Sequence, residues 1–369
     1  ELGSSIAIID EKEFESKNTI LVDNVLETLQ KLANYHRQQL GIPIIGLTGS
    51  NGKTTTKELI NSVLSQKYNT TATLGNLNNH IGVPLTLLSM TPETEIGIVE
   101  MGANHHNEID FLCSIAEPDF GYITNFGKAH LEGFGSVEGV IEAKSELYNF
   151  CIKNDKVIFV NPEDKIQIQK SKGANIVLFD KHVKFLDVNP FVKISIKESI
   201  IQSNLIGKYN YNNIAAAITM GTYFKVNFSL IKEAIEEYIP TNNRSQIINK
   251  GSNKIILDAY NANPTSVSAA LENFHLLSDK NKVVIIGDMF ELGNESENEH
   301  QQISKLCEEL QFEKVYLVGE NFHKTSTKNN TFNSFSLLKE HLENEKTNDS
   351  TILIKGSRGM ALERLLDLF

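Results

Sequence analysis

Three features of the chain predict an α/β fold in two sheet-centred units. Short apolar runs that read as buried strands recur at 43–48, 96–101 and 120–125, and again at 254–260, 282–287, 314–319 and 351–356. Helix-like stretches separate them, which is the pattern of a mostly parallel sheet with helices on its faces. Between the two series lies a tract of closely spaced short strands and two helices, ended by Pro240, Thr241, Asn242 and Asn243, the best linker candidate.

Taken in order, residues 1–22 hold strand-like fragments, SIAIID and NTILV. From Asp23 to Leu40 an amphipathic helix turns Val25, Leu26, Leu29, Leu32 and Ala33 inward. Pro43 opens a strand to Thr48, and Leu59, Ile60, Val63 and Leu64 mark one face of the next helix. A helix-like stretch around Ile109 to Ile115 separates the strands at 96 and 120. Short strands follow in KVIFVN, NIVLF, FVKISI and IIQSNLI, then helices near 212–224 and 229–238. Beyond the linker, helices end at Ser278 and Gln311, one lies near 335–344, and a last helix follows the strand TILIKG. Residues 244–369 are long enough to form a domain of their own. Glu1 and the run LGSSIAIID read like the middle of a domain, so the chain is expected to lack an N-terminal piece.

Composition narrows the function classes. With 369 residues, 40% hydrophobic, the chain has ample core for two or three domains. Its formal net charge of −11 argues against nucleic acid as a partner, because phosphate-backbone recognition needs a basic face. No apolar run approaches the ~20 residues of a membrane span, and no signal peptide is visible. Cys113, Cys151 and Cys307 lack metal-ligand spacing and read as reduced structural thiols of a cytoplasmic protein.

The chemistry starts at GLTGSNGKTTTKE, residues 46–58, where a strand, a glycine-rich turn and a helix follow one another. A helix N-terminus carries about half an elementary positive charge and unpaired N–H donors, so it attracts phosphate. Gly49 and Gly52 permit positive φ and close backbone approach, Ser50, Asn51 and Thr55 complete the turn, Lys53 can reach the β- and γ-phosphates, and Thr54 can offer a hydroxyl to Mg²⁺. Leu47 stands where the longer phosphate-loop pattern has its first glycine, which makes a generic ATPase of that class a poorer fit.

Other candidates lie at strand ends. Glu100 and His130 could complete an oxygen-rich Mg²⁺ shell, although a histidine would be an unusual ligand, or they are solvated loop residues. Lys144 fills the gap in a helical apolar stripe made by Val137, Val140, Ile141, Leu147, Tyr148 and Cys151. Such a lysine either snorkels at the rim or is desolvated with a lowered pKa. Asparagines at 76, 78, 79, 210, 213, 261 and 263 suit amide, base or ribose recognition, or else turns and caps. Lys355, Ser357 and Arg358 in KGSRG form a carboxylate or phosphate site or a plain surface turn.

The motifs TGSNGKTTT, EMGA, NFGKAHLEGFGS, EAKSE, GKYNYNN, DAYNANP, GDMFELG and KGSR occur in the order found in the bacterial Mur ligases. The resemblance covers nearly the whole chain and implies a central phosphate-loop (P-loop) ATP-binding domain at 36–241, a C-terminal Rossmann-like ligase domain at 242–369, and a remnant of the N-terminal UDP-substrate domain at 1–35. It implies that Lys53 and Thr54 hold phosphates and Mg²⁺, that Glu100 and His130 ligate metal, and that Lys144 is carbamylated to position a second Mg²⁺. It further implies that Asn210 and Asn213 lie near the adenine, that Arg244, Asp258 and Tyr260 face the nucleotide, and that Asn78 and Asn79 lie on the muramoyl-peptide side. Lys355 and Arg358 would face an incoming dipeptide.

In GDMFELG, DAYNANP and KGSR the chain is most similar to the members that add D-alanyl-D-alanine. The implied reaction is ATP-dependent ligation of that dipeptide to UDP-N-acetylmuramoyl-tripeptide in peptidoglycan precursor synthesis, by a monomeric cytoplasmic enzyme. Two other readings use the same motifs: a sister ligase with another acceptor, such as a folylpolyglutamate synthase, and an ATP-binding module without turnover.

Overall fold

The computed structural model describes residues 5–241 and 243–369. A short parallel pair, β1 (Ala7–Ile9) and β2 (Thr19–Leu21), precedes helix α1 (Val25–Leu40). Then come β3 (Ile44–Thr48), α2 (Lys53–Leu64), β4 (Thr70–Ala72), α3 (Gly82–Leu88), β5 (Ile96–Glu100), α4 (Glu108–Ala116) and β6 (Phe120–Ile123). The first unit continues through α5 (Leu131–Phe134), α6 (Val137–Lys153), β7 (Val157–Val160), α7 (Lys165–Lys170) and β8 (Asn175–Leu178).

Strands β3 to β8 form one sheet in the order β4-β5-β3-β6-β7-β8, parallel throughout. Every residue of β3 and β5 is buried, as expected of strands covered on both faces. Successive residues alternate between two cores: Ile44, Val99 and Ile123 pack with α3, α4 and α6, whereas Ile45, Ile98 and Tyr122 pack with α2 and the helices after residue 209. Since β5 and β6 flank β3 on opposite sides, the strand order switches at β3. The crevice beyond the carboxyl ends of these strands is where such sheets hold ligands.

An antiparallel sheet of β9 (Val183–Val188), β10 (Phe191–Ile196) and β11 (Ser199–Ile206) follows, ordered β11-β10-β9, and then α8 (Asn210–Tyr223) and α9 (Phe228–Glu237). The second unit comprises β12 (Gln246–Lys250), β13 (Asn253–Asp258), α10 (Pro264–Leu276), β14 (Lys282–Gly287), α11 (Ser296–Leu310), β15 (Lys314–Val318), α12 (Glu320–His323), β16 (Asn330–Phe332), α13 (Phe335–Asn344) and β17 (Thr351–Lys355). Its sheet runs β12-β13-β17-β14-β15-β16, with β12 antiparallel to β13 and the other neighbours parallel. A second switch point therefore lies at the ends of β13, β17 and β14.

The α/β class and the mostly parallel sheets agree with the sequence reading, and two details differ. The expected boundary at 35/36 falls inside α1, which runs unbroken to Leu40. That helix is tied to the first sheet: Arg37 Nε donates to Ala116 O at 3.0 Å, and its guanidinium pairs with Asp119 at 2.8 Å. The last helix is a 3-10 helix, Leu362–Leu368, rather than an α-helix. Among the linker residues, Asn242 lies outside the described residues. Among the described residues no helix is long and apolar enough to cross a membrane.

Candidate active site

The turn after β3 is shaped by its two glycines. Leu47 is a fully buried strand residue whose carbonyl accepts the Met101 N–H, so the loop starts only at Gly49. At Gly49 φ is 143°, and a Cβ would fall 2.0 Å from Thr124 Oγ1. At Gly52 φ is 78°, and a Cβ would meet Asn213 Oδ1 at 2.9 Å. No other residue type fits either place without displacing a neighbour.

Bonds to the segment after β6 fix the loop. Ser50 Oγ donates to Gly127 O at 3.0 Å, Asn51 N donates to Asn125 Oδ1 at 3.1 Å, and Thr124 Oγ1 donates to Asn51 O at 2.6 Å. Lys53 Nζ folds back on its own loop and donates to Gly49 O at 2.8 Å. Burial lowers its pKa, opposed by the fields of Glu100 and Glu291 and reinforced by Arg244. The helix end, its free amides and Thr55 open into a cleft of ≈ 840 Å³ between the two sheets.

Glu100 ends β5 and is 1% exposed. Its Oε1 accepts from Asn78 Nδ2 at 2.8 Å and from Thr54 Oγ1 at 3.3 Å, while Oε2 is buried without a partner. A buried carboxylate oxygen left unpaired beside a threonine hydroxyl is the donor set that a hard cation takes, so these residues fit Mg²⁺. His130 lines the same cleft, but its Nδ1 lies 2.5 Å from Glu291 Oε2 of the second unit. That pairing holds Glu291 below the usual carboxylate range. Through Nδ1, His130 thus also reaches the second unit.

Lys144 is fully buried on α6, which excludes snorkelling. Its Nζ donates to Ala103 O at 3.1 Å and sits 5.0 Å above the Phe134 ring. Burial, helped by the charge of Lys53 and opposed by Glu108 and Glu146, lowers its pKa to about 7. Ala103 lines the cleft and Lys144 stands behind it.

At another part of the cleft, Asn210 and Asn213 line its wall and brace one another. Asn213 Nδ2 donates to Asn210 Oδ1 at 2.7 Å, Thr56 Oγ1 donates to Asn213 Oδ1 at 3.0 Å, and Asn210 Nδ2 donates to Ile206 O at 2.7 Å. Across the cleft, the Arg244 guanidinium stacks 3.7 Å from the Tyr260 ring centre, with its Nε buried and unpaired. Asp258 pairs with Lys355 Nζ at 2.6 Å.

Of the candidates named from sequence, most line this one cleft; Gly49 underlies it, and Arg358 does not face it. Arg358 is exposed and pairs with Glu363 at 2.9 Å. Asn79 lines the cleft, but its Oδ1 accepts the N–H groups of Ile81 and Gly82, the turn-and-cap alternative. Sequence reading passed over Asn125, Glu291 and the contact of Asn263 Nδ2 with Asn51 Oδ1 at 2.7 Å. All three lie in motifs already singled out, NFGKAH, GDMFELG and DAYNANP, but which neighbour each would meet depends on the packing of the two sheets.

Comparison with known proteins agrees with this layout. Residues 47–221 match the Mur ligase middle domain, and residues 243–358 match the Mur ligase glutamate ligase domain. The UDP-N-acetylmuramoyl-tripeptide--D-alanyl-D-alanine ligase of Bacillus subtilis is 36% identical over 95% of this chain and 81% of its own length. The crystal structure of MurF from Acinetobacter baumannii superposes with a TM-score of 0.87 at 31% identity, covering 99% of this chain and 84% of that one. MurF from Thermotoga maritima, solved in complex with ADP, gives 0.86 at 26% identity over 99% of this chain and 88% of that one. With this extent of identity, both sheets in the same order of motifs and one cleft between them, the chain belongs to the Mur ligase family.

Proposed function

We infer that the protein is an ATP-dependent peptide ligase that joins D-alanyl-D-alanine to UDP-N-acetylmuramoyl-tripeptide, a step of peptidoglycan precursor synthesis. The observation that carries this reading is a single cleft with a phosphate loop and an orphaned carboxylate oxygen on one wall and Arg244, Asp258 and Lys355 on the other. Ligation needs both walls, because the activating phosphate and the acceptor amine must meet at one carbonyl. The relatives' names choose the acceptor.

In the reaction, the tripeptide carboxylate attacks the γ-phosphorus of ATP, giving an acyl phosphate and ADP. The dipeptide amine then attacks the acyl carbon, and collapse of the tetrahedral intermediate expels phosphate. Lys53 leaves the Gly49 carbonyl for the phosphates, where its charge counters the negative charge gathering on the transferred group. Glu100 and Thr54 would hold Mg²⁺, which when bound supplies further positive charge to the phosphates. Arg244, stacked on Tyr260, faces the nucleotide from the second sheet, and the paired sheets exclude water from the acyl phosphate. Asn78 serves the reaction through Glu100, and Lys355 bears on the acceptor side.

We assign Lys144 the role of a carbamate carrier, since an amine with a pKa pushed down to about 7 is about half neutral at pH 7, and the neutral form is nucleophilic toward CO₂. A carbamate would carry the charge beyond the Ala103 carbonyl toward a second Mg²⁺. The functional units are taken as a central ATP domain ending at 241 and a ligase domain from 242. Because one chain supplies both walls, the active form is a monomer, and three free buried thiols suit the cytoplasm. Phosphate release measured with ATP, the tripeptide substrate and D-alanyl-D-alanine tests the assignment. Release that is independent of the dipeptide, or that prefers glutamate as acceptor, would refute it.

A further inference from the structure

Lys57 follows Lys53 by one turn on α2, and its side chain is fully buried. Removing an ammonium from water is costly, so a core position that holds one must gain something an apolar residue could not supply. Its Nζ donates to the Thr73 carbonyl at 2.5 Å and lies 2.8 Å from Glu58 Oε1. Thr73, 1% exposed, directly follows β4 and opens the loop that carries Asn78. Its hydroxyl accepts the backbone N–H of Glu100 at 3.0 Å. At the far end of the loop, Asn78 donates to Glu100 Oε1 at 2.8 Å, and its carbonyl accepts the Gly102 N–H at 2.7 Å. The ammonium therefore grips the residue that bonds the Glu100 N–H and that opens the loop bearing Asn78, which together with Thr54 holds the Glu100 carboxylate. With an apolar residue at 57, the Thr73 carbonyl would be buried without this donor, leaving the Thr73 N–H on Ile98 O at 2.9 Å as the backbone anchor at this end of the loop.

We propose that Lys57 is a positioning residue for the Glu100 carboxylate. Through Thr73 it fixes where the unpaired Oε2 points, and it ties that direction to the helix whose N-terminus faces the phosphates. The proposal rests on the reading of the cleft as a Mg²⁺-nucleotide site, and its test separates the two. ADP binding to the full chain is measured by calorimetry over a Mg²⁺ series for the unaltered protein, Lys57→Met and Thr73→Val. If the unaltered protein binds ADP no better with Mg²⁺ than in a chelator, the cleft reading fails and takes the proposal with it.

If the Mg²⁺ effect is present, both variants should keep metal-free ADP affinity within about twofold, yet need at least ~10-fold more Mg²⁺ for half of the enhancement, as for other residues that orient a metal ligand. A merely structural lysine would lower the melting temperature and leave that Mg²⁺ midpoint in place, and this result overturns the proposal. Should Lys57→Met fail to fold, Thr73→Val decides. It keeps the carbonyl that Lys57 binds and removes the hydroxyl that takes the Glu100 N–H, along with its longer 3.5 Å contacts to Ile98 and Thr86, so an unchanged midpoint there breaks the relay on which the proposal depends.

Discussion

An ammonium resting on a carbonyl of its own loop, as Lys53 does on Gly49, exchanges one acceptor for a better one when phosphate arrives. Replacing Lys53 by Ala should therefore cost about 10²- to 10³-fold in kcat/KM for phosphate release, the scale of losing one preorganised charge-stabilising donor. The melting temperature should not fall, since the lysine is held with a depressed pKa. Lys144 makes a pH prediction. Its pKa is about 7 in the fold, against 10.5 for a lysine in water. Between these values the unfolded chain binds the proton more readily, so as pH falls the lysine destabilises the fold until the penalty is complete below about pH 7. Denaturation of Lys144→Met beside the unaltered protein should show the difference moving in favour of the variant from pH 10 to pH 6. A difference that is constant with pH would remove the desolvated lysine. Both lysines were legible, one from its motif and one from its gap in an apolar stripe. Lys57 gave the same signal, three residues before Ile60 and seven before Leu64, but the glycine loop beside it drew the reading away.

At the level of elements, α10 shows how a cap doubles as a contact. Asn263 Oδ1 accepts the Ser266 N–H at 2.9 Å in a capping box, with Pro264 at the first helical position, while Nδ2 reaches Asn51. The two functions are separable. Asn263→Ser keeps a capping oxygen and should leave stability nearly unchanged, whereas Asn263→Ala should lose ~1 kcal/mol in urea denaturation. Both should raise KM for ATP, because each frees Asn51 in the loop. The sequence foretold the strands that are buried on both faces, because continuous apolar runs mark them. It did not foretell β4, whose residues are Thr70, Thr71 and Ala72, or β12, whose only apolar residues are Ile247 and Ile248. Both are short edge strands set by a neighbour's ladder more than by their own composition. Helix α3 was hidden by Gly82 and Pro84, which sit at its start, where Pro is tolerated.

Across the whole molecule, segment 127–132 clasps the second sheet. Lys128 Nζ pairs with Glu299 at 2.5 Å, its N–H donates to Thr265 Oγ1 at 3.0 Å, and Glu132 N donates to Glu291 O at 3.2 Å. Glu299 is only 3% exposed, so Lys128→Ala leaves a buried carboxylate without its cation. That variant should lose ~3 kcal/mol of stability and loosen the joint between the sheets, read as a larger radius of gyration by solution scattering. An unchanged radius would mean the clasp does not set the joint. None of these pairings was legible, since a contact between residues 171 positions apart is decided by the packing of two finished sheets.

Strand order has one more consequence, for synthesis on the ribosome. The sheet of the second unit is ordered β12-β13-β17-β14-β15-β16, so its last strand in sequence is third in space, between β13 and β14. A nascent chain that has emerged through β16 still has two half-sheets with nothing to join them. The residue that finishes the gap, Lys355, also finishes the cleft by pairing with Asp258. Completion of this sheet and closure of this wall of the cleft therefore arrive together, and a chain stopped short of β17 is left with neither.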